Sequence, residues 1–340
     1  MSERALVRVL VVDDSAFTRK VLRLSLDADP RIEVVGTAHD GLEALEKIAL
    51  LNPDVVTLDL MMPNLDGLGV LKTLASHERP PRVVLVTSSE ENSELAVEAL
   101  QLGAVDIVVK PTALATDRLY EIARPLVEGV VGAASARRPV LDGSPAQPAP
   151  PPVQHQRADV IVVGVSTGGP QALSELLSRL PATLPVPLAI ALHIPGEHTE
   201  ALARRLDRVS PLRVSEARTG AAFGPGDAVL ARGGMHLSVE RGTVRVHREP
   251  EAATYFPSVN VLFESAARVY GGRALGVVLT GMGDDGLAGA RTLVAAGGRV
   301  LVEAESSCVV YGMPRAVKEA RLSSGEAAID AMAGEILRSL

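Results

Sequence analysis

Short apolar runs alternate with amphipathic stretches along most of the chain. In the first third, β-branched runs are separated by stretches whose apolar residues recur every three or four positions. This alternation is typical of a parallel sheet with helices on both faces, and it predicts a five-stranded α/β domain. One helix is predicted at Gly41–Leu51, with Leu42, Leu45 and Ile48 on its inner face. The predicted strands are Val7–Val12, Ile32–Gly36, Val55–Leu58, Val83–Thr87 and Val105–Val109.

The same alternation returns near residue 158 and predicts a second α/β domain with a mainly parallel sheet. Its first strand ends at Val165, and a helix follows Ser166. A hairpin is predicted at His236–His247, because two short strand patterns flank an Arg-Gly turn. The other predicted elements are strands Pro187–Leu192 and Ala274–Thr280, a helix at Ser258–Tyr270 and a helix from Leu287 onward.

A Pro- and Ala-rich segment separates the two patterned regions. It contains the run Gly-Ser-Pro-Ala-Gln-Pro-Ala-Pro-Pro-Pro, which has too few apolar residues to form a core. We therefore predict a first domain at residues 5–123, a linker at residues 124–157 and a second domain at residues 158–340.

Composition restricts the kind of protein. The chain has 340 residues, enough for about two domains. Aromatic residues make up only 2% and Trp is absent, so the cores must consist of Val, Leu, Ile and Ala. The net charge of −7 disfavours a general nucleic-acid surface, and no apolar run approaches a membrane span. A single cysteine, Cys308, excludes an internal disulfide. From the charge, the lack of a membrane span and the single cysteine together, we expect a soluble, cytoplasmic protein.

Polar residues follow the strands of the first domain where a parallel sheet binds its ligands. A lone Asp after a strand is usually a solvated loop residue or a helix N-cap, but several at one sheet edge are harder to reach by chance. Three of these residues carry carboxylates, which suit a hard cation such as Mg²⁺. One of the carboxylates could accept a phosphoryl group, and a lysine and a threonine hydroxyl at the same edge could contact the phosphoryl oxygens. The residues are Asp13 and Asp14 after the first strand, Asp59 after the third, Thr87 ending the fourth and Lys110 after the fifth.

The second domain begins with the motif Gly-Val-Ser-Thr-Gly-Gly, at residues 164–169. It predicts a strand, a sharp turn and a helix start, with Ser166 at the apex near free backbone N–H groups. A plain turn or a phosphate-binding glycine loop would give the same local pattern. The motif alone therefore leaves a nucleophilic serine as one of three interpretations.

Further residues favour the nucleophile. His193 follows the second strand of this domain, and Asp284 and Asp285 follow a third. A histidine can accept the serine proton, and a carboxylate can orient the histidine. Glycines around Ser166 and Met282 leave backbone N–H groups available for an oxyanion hole. The residues alone do not decide between Asp284 and Asp285.

Chain order and local context narrow the interpretation. The order Ser, His, Asp differs from the Ser, Asp, His order of α/β-hydrolases, so that fold is not expected. We expect the competing histidines to serve no catalytic role, with His198 on an exposed helix and His236 and His247 in a polar hairpin.

The first domain resembles response-regulator receiver domains, in the motifs around Asp13–Asp14, Asp59, Thr87 and Lys110–Pro111. The resemblance implies a flavodoxin-like fold, phosphorylation of Asp59 by a sensor histidine kinase, Asp13, Asp14 and Asp59 as Mg²⁺ ligands, and Thr87 and Lys110 as switch residues. It also implies a cis Lys110–Pro111 bond. Ile107 departs from the family pattern, in which many members carry an aromatic residue.

The second domain resembles the catalytic domain of chemotaxis methylesterases, the CheB family. The matching segments are residues 164–169, 193–195, 257–259, 279–286 and 307–314. The resemblance implies that Ser166 is the nucleophile, His193 the base and Asp285 the third member, since Asp285 directly precedes Gly286. It also implies that the Met282 backbone lines the oxyanion pocket.

Together the two resemblances imply a phosphorylation-activated hydrolase of chemotaxis adaptation. It would remove methyl groups from glutamate methyl esters of chemoreceptors, and deamidate receptor glutamines, through an acyl-serine intermediate. Its partners would be the chemotaxis histidine kinase and methyl-accepting chemoreceptors, with no nucleic acid and no membrane insertion. We expect a monomer that needs Mg²⁺ for phosphorylation and no cofactor for hydrolysis.

The alternative is a phosphorylation-switched docking protein with weak or no esterase activity. Two segments depart from the family pattern, and the first of them keeps this alternative open. Residues 255–260 read Tyr-Phe-Pro-Ser-Val-Asn where His-Arg-Pro-Ser-Val-Asp is commoner, and residues 231–236 replace a loop that contains Pro-Gly. At these positions we expect contacts with the substrate or between the domains to differ.

Overall fold

The computed structural model describes residues 6–88, 93–110, 122–135 and 157–340. The chain divides into two compact units, Met1–Ala136 and Arg137–Leu340. Among the described residues, no helix combines the length and the apolar character that crossing a membrane requires.

The first unit is a five-stranded parallel sheet between two layers of helices, as the sequence predicted. The strand order is β2-β1-β3-β4-β5. The strands are β1 Val7–Val12, β2 Ile32–Ala38, β3 Val55–Leu58, β4 Arg82–Thr87 and β5 Ala104–Val109. The helices are α1 Ala16–Asp27, α2 Gly41–Leu51, α3 Gly67–Leu74, α4 Ser93–Gln101 and α5 Ala123–Ser135.

Helix α2 has the predicted bounds, but of its three predicted inner residues only Ile48 is buried. Its buried residues are Gly41, Ala44 and Ile48, while Leu42 is 54% exposed. A Cβ on Gly41 would lie 2.4 Å from Leu65 O, so this glycine permits a close approach to the loop before α3. The small residues of α2, rather than its leucines, therefore face inward at this end.

Helix α5 lies where the sequence predicted the start of the linker. Its buried Leu126, Val130 and Ala133 pack the helix on the first sheet. The Gly- and Ala-rich composition of this stretch weakened the apolar pattern, although small residues suit a helix packed closely on a sheet. The first unit therefore reaches Ser135, twelve residues beyond the predicted end at residue 123.

The second unit contains a seven-stranded sheet of order β14-β13-β12-β6-β7-β9-β8, in which every pair is parallel. The strands are β6 Val160–Val165, β7 Leu188–Leu192, β8 Arg213–Glu216, β9 Asp227–Leu230, β12 Ala274–Val278, β13 Arg299–Glu303 and β14 Gly325–Ala327. The helices are α6 Gly169–Arg179, α7 Gly196–Val209, α8 Val259–Tyr270, α9 Leu287–Ala295, α10 Met313–Glu319 and α11 Ile329–Arg338.

The hairpin is present, with β10 His236–Val239 paired to β11 Val244–His247. It is less polar than predicted, because Leu237, Val239 and Val244 are fully buried against the core of the second unit. His236 is buried with them, so the expectation of a polar environment for this histidine was wrong.

Strand β6 lies at the topological switch point of the second sheet, where the strands that come later in the chain are added on its other side. Its neighbours are β7, which follows it in the chain, and β12, which arrives much later. In an open parallel sheet, the carboxyl ends of strands at such a point border a crevice. Gly164 lets α8 pack against β6, because a Cβ there would lie 2.2 Å from Val259 Cγ1.

Candidate active site

Ser166 lies in the turn between β6 and α6. Its N–H donates to Thr280 O at 3.0 Å, and its carbonyl accepts from Gly169 N at 2.7 Å. Gly168 has a φ of 79°, and a Cβ there would lie 2.5 Å from Val309 Cβ, so the turn needs glycine for its conformation and for space. The sequence predicted this strand, turn and helix start.

A second glycine brings the loop after β12 against the serine. A Cβ on Gly281 would lie 2.7 Å from Ser166 Cβ and 2.4 Å from Met313 Sδ. Gly281 N donates to Val310 O, and Gly281 O accepts from Met313 N at 2.9 Å. The chain next to Met282 is therefore fixed beside Ser166 on both sides.

His193 directly follows β7, and its imidazole bridges the two other candidates. Nδ1 lies 3.0 Å from Ser166 Oγ, and Nε2 lies 2.8 Å from Asp285 Oδ2. A carboxylate only accepts, so Nε2 carries the proton and Nδ1 presents its lone pair to the serine hydroxyl. The three side chains come from the carboxyl ends of three adjacent strands, as the sequence predicted.

Asp285 is buried and held at the N-terminus of α8. Its carboxylate accepts from Ser258 Oγ at 3.0 Å, Val259 N at 2.7 Å and Asn260 N at 3.1 Å. Burial alone would raise the pKa of Asp285, but the hydrogen bond and charge of His193 and the backbone N–H groups outweigh it, so the pKa is lowered. Asp285 is thus held as an anion facing His193.

Asp284, the alternative that the residues left open, is exposed beside it. Asn260 stabilises the loop from the other side, because its Oδ1 accepts from Gly286 N at 3.0 Å and Gly289 N at 2.7 Å. Sequence reasoning did not predict that Ser258 and Asn260 would hold the carboxylate and its loop. The available signal was a Ser directly before an apolar helical pattern, which is typical of an N-cap.

The competing histidines lie elsewhere, although not in the environments predicted. His198, expected on an exposed helix, is fully buried in the first turn of α7, and burial lowers its pKa. His236 Nδ1 accepts from Ser258 N at 3.2 Å, and its Nε2 lies 3.3 Å from Pro250 O. His236 therefore supports the segment before α8, one step removed from Asp285.

Met282 directly follows Gly281, the residue that lies against Ser166. Among the described residues, none accepts a hydrogen bond from Met282 N. By contrast, Gly281 N donates to Val310 O, and Met313 N donates to Gly281 O. A donor without an internal acceptor is what an oxyanion site requires. The geometry is compatible with the predicted role of Met282.

A buried carboxyl group lies beneath the same loops. Glu303, at the end of β13, accepts from Thr280 N at 2.8 Å and from Ser307 Oγ at 2.9 Å. Thr280 Oγ1 in turn donates to Thr167 O at 3.0 Å. Burial raises the pKa of Glu303 to about 7, despite these hydrogen bonds. Sequence reasoning did not single out Glu303, which reads as the polar end of an apolar strand.

In the first unit, the predicted acidic residues and the lysine meet at the carboxyl edge of the sheet. Lys110 Nζ lies 2.6 Å from Asp59 Oδ2 and 2.6 Å from Asp13 Oδ2. Burial raises the pKa of Asp59, with Asp13 adding to the effect and Lys110 opposing it. Burial would lower the pKa of Lys110, but the two carboxylates outweigh it and raise that pKa.

The residues of this edge fit a hard cation. Oxygen atoms of Asp13, Asp14 and Asp59 all lie within 4.8 Å of one another, and carboxylate oxygens are the ligands that Mg²⁺ prefers. Asp13 and Asp59 are buried, while Asp14 is exposed. Thr87 is buried at the end of β4, with Oγ1 3.3 Å from Ser88 O.

Two further sequence predictions concern the first unit. Ile107, which stands where many receivers have an aromatic residue, is buried in β5. Pro111 lies outside the described residues, so the predicted cis Lys110–Pro111 bond stays a prediction.

Comparison with known proteins matches both units. The family described as CheB methylesterase matches residues 161–336, and the response regulator receiver domain matches residues 9–124. A protein from Myxococcus xanthus, named protein-glutamate methylesterase/protein-glutamine glutaminase 5, is 58% identical over 337 residues, covering 96% of each chain. A similarly named protein from Nitratidesulfovibrio vulgaris is 42% identical, covering 98% of this chain and 100% of its own.

A solved structure matches the second unit. The crystal structure of the Thermotoga maritima CheB methylesterase catalytic domain shows 32% identity and a TM-score of 0.52. The match covers 54% of this chain and 99% of that one.

Proposed function

The chain belongs to the CheB methylesterase family and carries a receiver domain, and from this we propose that it hydrolyses glutamate methyl esters of chemoreceptors and deamidates receptor glutamines under the control of phosphorylation. The observation that carries the proposal is the hydrogen-bonded chain Ser166–His193–Asp285. It supports the esterase over the docking alternative, because a protein that only docks has no use for a buried carboxylate aligned with a histidine and a serine.

Acylation follows from the atoms that face each other. Ser166 Oγ attacks the ester or amide carbonyl carbon, while His193 Nδ1 takes its proton. Asp285 keeps the other imidazole proton on Nε2 and stabilises the positive charge that forms. The Met282 N–H donates to the oxygen that becomes negative.

Collapse of the tetrahedral intermediate completes the first half. His193 returns its proton to the leaving group, so that methanol departs from an ester or ammonia from an amide, and an acyl-serine remains. Water then attacks the acyl carbon as Nδ1 takes its proton. The second collapse gives that proton back to Ser166 Oγ and releases the glutamate carboxyl group.

We assign the switch to the first unit. Asp59 Oδ would accept a phosphoryl group from a histidine kinase, and Lys110 Nζ would contact the new phosphoryl oxygens because it already lies 2.6 Å from the carboxylate. Asp13, Asp14 and Asp59 would hold Mg²⁺, which supplies positive charge against the incoming phosphoryl group. The Thr87 hydroxyl would donate a hydrogen bond to the same group once it no longer donates to Ser88 O.

The nucleophile is tested by changing Ser166 to Ala in the full-length protein. Removal of a triad nucleophile lowers the rate by about 10³-fold or more. The measurement is methanol release from methylated chemoreceptor, with circular dichroism to show that the variant is folded. A folded Ser166→Ala protein with near-normal methanol release would contradict the proposal, and an inactive wild-type protein would favour the docking alternative.

A further inference from the structure

Tyr255 covers one face of the His193 imidazole. The two rings are parallel within 5°, and their centroids are 4.5 Å apart. The segment that contains Tyr255 is one of the two places where the chain departs from the family pattern. The stack therefore joins a residue that departs from the commoner family motif to the base of the proposed triad.

The backbone around Tyr255 fixes the stack. Phe256 O accepts from Gly234 N at 3.1 Å, and the Phe256 ring lies 4.4 Å from the His236 ring, centroid to centroid. Ser258 N donates to His236 Nδ1, and the Ser258 side chain reaches Asp285. Tyr255 thus belongs to the same anchored segment that holds the carboxylate.

The phenol end of Tyr255 reaches the loop after β12. Gly283 has a φ of 82°, and a Cβ there would lie 3.3 Å from Tyr255 Oη. The ring therefore extends from the imidazole to the loop that carries the Met282 N–H. It forms one wall of the site.

We propose that Tyr255 is a positioning residue that keeps His193 in its productive orientation and stabilises its positive charge during acylation. An imidazole held at two nitrogens can still tilt about the line that joins them, and a parallel ring at contact distance restricts that tilt. The face of an aromatic ring also attracts a cation, which His193 becomes when it takes the Ser166 proton. This inference rests on the proposed catalytic function of Ser166 and His193.

The test distinguishes the effect of the Tyr255 aromatic ring from the effects of its hydroxyl and of its apolar volume. Tyr255→Phe keeps the stack, while Tyr255→Leu and Tyr255→Met keep apolar bulk without an aromatic face. Tyr270→Leu is the matched control, since Tyr270 lies at the far end of α8 over Arg241. All are made in the full-length protein, and thermal unfolding shows which variants are folded.

Two rates are measured. The first is covalent labelling of Ser166 by a small alkyl fluorophosphonate, followed by mass spectrometry, which reports activation of the serine without any receptor. The second is methanol release from methylated receptor, analysed as separate kcat and KM. If Ser166 is labelled but no receptor ester is hydrolysed, the proposed substrate is wrong while the role of Tyr255 is still measured.

We expect Tyr255→Leu and Tyr255→Met to lower both the labelling rate and kcat about tenfold, with KM nearly unchanged, because the lost interaction forms with the charged imidazole. Tyr255→Phe and Tyr270→Leu should keep wild-type values. The inference is overturned if folded Leu and Met variants label Ser166 at the wild-type rate, if only KM changes, or if Tyr255→Phe loses as much as Tyr255→Leu.

Discussion

Three buried carboxyl groups show how their surroundings give one functional group different properties. Asp285 accepts several hydrogen bonds at a helix N-terminus, and its pKa is lowered. Asp59 is buried beside Asp13 and Lys110, and its pKa is raised. Glu303 is fully buried, and this burial raises its pKa to about 7. The first is suited to orient a histidine, the second to accept a phosphoryl group and the third to support loops.

Glu303 predicts a pH-dependent stability. The pKa rises from 4.5 to about 7 on folding, so the folded state binds the proton more tightly and stability falls as pH rises between these values. Glu303→Gln removes this ionisation. The free energy of unfolding of the variant relative to wild type should therefore increase by roughly 2 to 3 kcal/mol from pH 5 to pH 8.

Urea unfolding followed by circular dichroism at both pH values measures this difference. Other titrating groups are common to the two proteins and cancel in the comparison. If the free energy of unfolding of Glu303→Gln relative to wild type stays constant from pH 5 to pH 8, Glu303 is ionised in the folded protein across this range.

The catalytic edge depends on the first turn of α8 as an element. Its N-terminal N–H groups bind the Asp285 carboxylate, and the Ser258 hydroxyl serves both as N-cap of the helix and as donor to that carboxylate. An anion at a helix N-terminus is stabilised by the unpaired N–H groups and the helix dipole. The helix thus holds the third member of the proposed triad without using a cationic side chain.

Ser258→Ala tests this arrangement. Loss of the N-cap should cost about 1 kcal/mol of stability. Loss of the hydrogen bond to the Asp285 carboxylate should lower kcat about tenfold, since a hydrogen bond to a charged group contributes about 1.5 kcal/mol. Methanol release and urea unfolding give the two quantities.

Two variants control for this experiment. Ser258→Thr retains the hydroxyl and should restore kcat. Ser265→Ala removes a buried hydroxyl from the same helix, where it contacts Val239 N and Leu262 O and not Asp285, so it should lower stability alone. If Ser265→Ala lowers kcat as much as Ser258→Ala, the effect is general loosening of α8 and not support of the carboxylate.

Among the helices and strands, the sequence predicted those whose bounds are set by a local pattern of residues. Strands β1 and β3 and helix α2 have the predicted bounds, because β-branched runs and helical periodicity specify them directly. Helix α5 was missed because Gly and Ala dilute its apolar pattern. Ile48 is buried on the inner face of α2 as predicted, but Leu42 was wrongly placed there, because the approach of the loop at Leu65 decides this end of the helix and that contact is not local in sequence.

At the site, the sequence predicted which residues lie at strand ends and so which side chains could meet. It could not predict the Tyr255 stack or the hold of α8 on Asp285. The second depends on how closely α8 approaches β6 at Gly164, a contact between residues about a hundred positions apart. His198 was predicted exposed because its helix begins with polar residues, yet the packing of α7 buries it.

Across the whole molecule, both units follow the same plan. Each is a parallel sheet with its reactive groups at the carboxyl ends of adjacent strands, and each bears its chemistry on short loops held by glycine contacts. We propose that one event couples the two units, namely the gain of negative charge at Asp59. This event should raise the rate of hydrolysis at Ser166.

The most direct test of this coupling is methanol release from methylated chemoreceptor by the full-length protein, before and after addition of acetyl phosphate and Mg²⁺, for wild type and for Asp59→Asn. We predict that the phosphodonor raises the wild-type rate about 5- to 100-fold, the usual range for coupling between two sites. The folded Asp59→Asn variant should keep the basal rate and show no increase. An equal increase in both proteins, or none in a wild type shown by mass spectrometry to be phosphorylated, would contradict the account.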